Sequence, residues 1–143
     1  MDAIPGITAC LNKYMSNNEI SEQHVTIFAK WFISGFCFDA HYLVWLLILL
    51  ERMNYEYIYI TYTNWQLVIG IGLWLIHKMD QDNSYRISVL VEVFNRYFRL
   101  LNLDRLTVDD ITQFEIIFFA AANYNMYVSL DAITARLAAL RLT

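Results

Sequence analysis

Two runs of this chain are apolar on every helical face, yet both are too short to cross a membrane. They are Tyr42–Leu50 and, following Trp65, Leu67–Ile76. A spanning helix needs about 20 apolar residues, whereas runs of about 10–14 mark helices buried in a core. Glu51, Arg52 and Glu56 interrupt the chain between them. A helix without a polar face has to be surrounded. The remaining residues are therefore expected to wrap two central helices.

Those remaining residues favour more helices. Four Gly and one Pro in 143 residues are too few for a turn-rich β protein. The length suits one domain with a sizeable core. Hydrophobic residues make up 58 % of the chain, above the usual share of roughly 45–50 %. Such a chain folds, and it has more apolar surface than one core hides. A net charge of −4 without a basic run argues against nucleic acid as a partner, because phosphate contacts need clustered Lys and Arg. No membrane partner is expected. No basic segment followed by an apolar one opens the sequence, so no secretory signal is read. Cys10 and Cys37 have neither CxxC spacing nor the density of a disulfide framework. They are expected to be buried, reduced thiols of an intracellular protein, cytoplasmic or nuclear.

The periodicity predicts five main helices. Ser21 caps the first, which runs to about Phe36 with Val25, Phe28, Ala29 and Phe32 on one face. The second runs from about Asp39 to Met53. Tyr55–Tyr62 has strand-like propensity but no second strand to pair with, so an ordered connection is expected. Thr63-Asn64-Trp65-Gln66 fits a capping box opening the third helix, which ends near Met79. Within it Gly70 and Gly72 would let neighbouring helices approach closely, at a propensity cost of about 1 kcal/mol each. After the polar break Asp80–Ser84, the fourth helix spans Tyr85–Leu101. Its inward face is Ile87, Leu90, Val91, Phe94 and Phe98. Thr107 or a neighbour caps the fifth, with Asp109 and Asp110 in its first turn, ending near Ala122. A last amphipathic helix covers Leu130–Leu140. Residues 1–18 read as a tail or short helix.

No catalytic centre emerges. His24, His41 and His77 fall on three different helices as surface or half-buried residues. None has a metal-ligand spacing, and no nucleophile elbow or phosphate loop is present. Neither metal nor cofactor is expected. Two charges stand out. Lys78 closes an apolar helix, where a cation suits the helix dipole. Glu115 is the only charge from Phe114 through Asn125. Either it lies on a thin solvent-facing stripe, or it meets a cation such as Lys78 at a partly apolar interface; unpaired burial would be costly. Phe119, Tyr124 and Met126 follow, and not all of them fit one inward face.

The order of these features resembles the cyclin box. Leu50-Glu51-Arg52-Met53, then Asn64-Trp65, then Lys78, then Asp82-Asn83-Ser84-Tyr85 look like the pattern of cyclin Y and the phosphate-pathway cyclins of yeast. That pattern is a LERL stretch, an NW-initiated helix ending in Lys, and a DDNSY-like turn. Ile111, Phe114, Glu115, Phe118 and Phe119, followed by Tyr124 and Val128, are similar to the run closing the box. The resemblance covers about Ile20 to Arg141. It implies an all-α fold: a five-helix box over residues 19–128, a flanking segment 1–18 and a C-terminal helix 129–143.

The resemblance also implies a role. In that family the residues matching Lys78 and Glu115 pair on a kinase-facing surface, and those matching Phe119, Tyr124 and Met126 supply apolar contacts to the kinase C-helix. The expected function is a non-catalytic subunit that binds and activates a cyclin-dependent protein kinase, in cell-cycle or nutrient signalling. A cyclin-fold adaptor that binds no kinase and a membrane-associated helical protein are the alternative readings. Several departures accompany the match. Met79-Asp80-Gln81 stands where the family has a tryptophan. The Tyr85–Leu106 stretch is longer and carries Arg96, Tyr97 and Arg99. Ala120–Ala122 are smaller than usual, and the MRxxL docking patch is missing from the first helix.

Overall fold

The computed structural model describes residues 4–15, 20–81, 86–100 and 105–141. All regular structure among them is helical. The elements are α1 (Ile4–Asn12), α2 (Glu22–Phe36), α3 (His41–Arg52), α4 (Trp65–Asp80), α5 (Ile87–Leu100), α6 (Val108–Ala121) and α7 (Leu130–Arg141). No strand occurs among the described residues; Tyr55–Tyr62 forms turns and irregular chain.

The two apolar runs are the centre of the molecule. Every residue of Tyr42–Leu50 is buried in α3, and α4 buries Trp65, Gln66 and all of Val68–His77. α4 packs against α2, α3 and α6. The glycines explain how so many neighbours reach it. A Cβ on Gly70 would strike the rings of Phe94 on α5 and Phe32 on α2. One on Gly72 would come within 2.6 Å of Leu46 on α3 and 2.9 Å of Phe118 on α6. The helix gives up propensity and gains close packing on two sides.

α2 begins where its sequence predicts. The Ser21 hydroxyl accepts from the His24 N–H at 3.1 Å, and Val25, Phe28, Ala29 and Phe32 are fully buried. α6 opens on a reciprocal cap: Asp110 N–H donates to the Thr107 hydroxyl, and Thr107 N–H donates to the Asp110 carboxylate. α1 lies in the segment read as a tail or short helix. It packs on α2, α3 and α7, burying Ile7 and Leu11, and the fully buried Thr8 hydroxyl meets that of Thr26 at 2.6 Å.

Four expectations need correction. The capping box at Thr63 does not form. The cap residue is Asn64, and its amide turns back, donating to the Tyr59 carbonyl at 2.8 Å and accepting from the Thr61 N–H at 2.7 Å. The Thr63 hydroxyl pairs with Thr61 instead. Here the connection, needing its own peptide groups satisfied, captured the side chain. The second helix starts at His41, because the Asp39 carboxylate accepts from the His41 N–H and leaves Ala40 as the cap. His77 is buried, its ring tilted against Phe38 with 4.6 Å between centroids, because its side of α4 faces the core. The cysteines are not buried: Cys10 is partly exposed, and Cys37 is exposed at the end of α2 with φ 56°.

Candidate functional site

The last turn of α4 and the middle of α6 meet at the surface, and the chain leaving α6 folds over the junction. Between them lies a groove of about 470 Å³ lined by Leu75, Lys78, Met79, Glu115, Ile116, Phe119, Tyr124 and Met126. All five residues read from the sequence as a contact set therefore fall in one place. Leu75, Met79 and Ile116 were not in that set. Their spacing could have found them, since positions three and four apart share a helix face.

The groove has one polar feature. Lys78 Nζ stands 3.4 Å from Glu115 Oε1. The Lys side chain is 41 % exposed and that of Glu115 23 %, so the carboxylate is sheltered rather than on a free stripe. Lys78 Nζ also lies 4.4 Å from the centre of the Trp74 ring, one helical turn back. An exposed ion pair alone contributes about 0–1 kcal/mol. The pair here is better understood as a charge placed on an apolar wall than as a stabilising strut.

The apolar wall is open to solvent. Tyr124 is 70 % exposed and Phe119 39 %, with their rings 5.4 Å apart at 74°. Met79 and Ile116 are exposed beside them, while Met126 is buried and forms the floor. The Met126 carbonyl accepts from the Trp45 indole N–H at 2.8 Å, tying that floor to α3. α6 ends in an unusual way. Asn123 and Tyr124 both have positive φ, 56° and 58°. Asn tolerates the left-handed region, but a bulky residue there is an outlier. The Tyr124 N–H closes the helix by donating to the Phe119 carbonyl at 3.0 Å. The left-handed turn directs Tyr124 to the groove, where its ring packs on Phe119, at a cost in backbone strain.

The other described motif residues do not line the groove. Glu51 pairs with Arg136 of α7 at 2.6 Å, joining α3 to α7. Arg52 is exposed. Trp65 is buried edge-on against Phe28, 5.5 Å between centroids. Phe114 is partly buried, and Phe118 is fully buried beneath Gly72. Asp82 and Tyr85 lie outside the described residues. Among the described residues no three His, Cys, Asp or Glu side chains are grouped to hold a metal ion. His41 is engaged with Asp39 at 2.9 Å, and hydrogen bonds from its backbone and its ring hold the Asp39 carboxyl below its ordinary pKa. No helix among the described residues is long and apolar enough to cross a membrane.

No known protein family, curated protein or solved structure matches the chain.

Proposed function

We propose that the chain is a cyclin-type regulatory subunit that binds a cyclin-dependent protein kinase and switches it on. The observation that carries this reading is the groove itself: Lys78 and Glu115 paired at its edge, 3.4 Å apart, within a wall that leaves Phe119 and Tyr124 in solvent. The ordered motifs that resemble a cyclin box support it, because they assign the same five residues to the kinase contact. The all-helical fold is compatible with such a box.

The mechanism is positional. A lone kinase holds its C-helix outward and its activation loop disordered. An apolar wall with one fixed charge pair fits the inward C-helix and not the outward one. Binding then shifts the kinase toward the state in which its own Lys–Glu pair and magnesium-binding Asp align. The chain contributes binding energy and no catalytic group.

The test is capture from the source organism followed by reconstitution. A co-purifying protein kinase should gain activity on addition of the wild-type chain. Glu115→Ala and Lys78→Ala should each weaken that binding by about tenfold with unchanged helicity. Wild-type affinity in either variant would overturn the assignment of the pair to the kinase contact, and capture of non-kinase partners alone would favour an adaptor.

A further inference from the structure

Among the described residues the Lys78 ammonium meets a carboxylate and an aromatic face. Glu115 is reached at 3.4 Å, a loose distance for a charge-assisted hydrogen bond, which is usually about 2.7–2.9 Å. The other is the face of Trp74, 4.4 Å from Nζ to the ring centre. Trp74 is 2 % exposed, so its ring is held within the core. Its indole Nε1 finds no hydrogen-bond partner among the described residues. A buried indole normally has a partner for its N–H. The advantage of an indole here is therefore not its hydrogen bond. Its large electron-rich face, the best of the aromatic surfaces for holding a cation, lies under the lysine.

From this we infer that Trp74 is a positioning residue: it holds the Lys78 ammonium at the groove edge before any partner arrives. The inference rests on the reading of the groove as the partner contact. A free lysine is a flexible chain of four methylenes, and fixing it on binding loses rotamer freedom. A side chain already held on a rigid ring loses less. The spacing of four residues on α4 puts the two side chains one above the other. α4 is packed against α2, α3 and α6, so the platform cannot drift away from α6 and Glu115.

The test separates the platform from the partner. In the free protein, the ε-methylene protons of Lys78 should show an upfield ring-current shift in NMR that disappears in Trp74→Leu. Trp74→Phe should keep a smaller one. Absence of the shift in wild type overturns the inference, whatever the partner does. The second arm replaces Trp74 alone with tryptophans of increasing fluorine content, which lowers the charge on the ring face and leaves packing nearly unchanged. Affinity for the captured kinase should fall stepwise, about threefold across the series. The same series in a Lys78→Met background should be flat. Unchanged affinity across the wild-type series also overturns the positioning role. If Lys78→Met itself leaves affinity untouched, the kinase-contact reading fails, and the ring-current shift still decides whether Trp74 holds Lys78.

Discussion

The indole N–H of Trp45 on α3 donates to the carbonyl of Met126, 81 residues further along the chain, at 2.8 Å. Both residues are buried. The bond fixes the segment after α6 at the depth where Met126 floors the groove and Tyr124 overhangs it. Trp45→Phe preserves an aromatic ring and removes the donor, leaving the carbonyl buried and unpaired. Such a group costs about 1–3 kcal/mol. The urea midpoint should fall accordingly, and amide exchange should rise first between Asn125 and Val128.

If the proposed kinase contact holds, substitution at Tyr124 should separate stability from recognition. Tyr124→Gly relieves a left-handed residue, worth about 1–2 kcal/mol. It also loses the edge-on contact with Phe119, worth about 0.5–1.5 kcal/mol. Thermal stability should therefore change by less than about 1 kcal/mol, while kinase binding drops sharply. A large loss of stability, read by calorimetry, would mean that the ring is a structural clasp and not a contact surface.

The glycines should respond with opposite signs. Gly70→Ala and Gly72→Ala force a methyl group into rings or side chains of neighbouring helices. Overpacking of this kind costs about 1–3 kcal/mol, more than the helix propensity it recovers. Gly35 on α2 has nothing within 4 Å of the Cβ position, so Gly35→Ala should stabilise by up to about 1 kcal/mol. Denaturant melts of the three variants check the contrast.

Acid should loosen the core through His77. Burial pushes its pKa below the ordinary value of 6.5, and nearby Asp80 only partly opposes this. The unfolded chain then binds a proton more readily than the folded one, so stability falls as pH drops through about 6.5. It levels off once the folded state's own lower pKa is passed. Melting temperatures between neutral and mildly acidic pH should decline in wild type and be flatter in His77→Phe, which keeps a ring beside Phe38.

Helix positions were legible because apolar spacing and caps are local. Ser21 and Thr107 act as their sequences predict. Glu115 was only half legible: the residues alone left a solvent-facing stripe and a cation partner equally open, and the fold brings it to 3.4 Å from Lys78. What escaped the sequence depends on neighbours distant in the chain. Asn95, buried on α5, binds both the N–H and the carbonyl of Leu106, at 2.7 and 2.9 Å, and so clasps the approach to α6. An Asn in an amphipathic helix gives no sign of such a role. Asn64 likewise satisfies the connection behind it rather than the helix ahead. α1 was ambiguous because its amphipathic pattern is short, and its burial is set by α2, α3 and α7.

α4 is buried from Val68 to His77 against α2, α3, α5 and α6. Each of its side chains is thus read by several neighbours at once, and a substitution there is seldom silent. Sequence drift in this protein should fall on the outer faces of α2, α5 and α7. Any descendants that exchange one partner for another would change the residues on α6 while keeping α4 almost intact. In that sense α4 acts as the fixed frame of the molecule, and the face of α6 is the part on which selection can write.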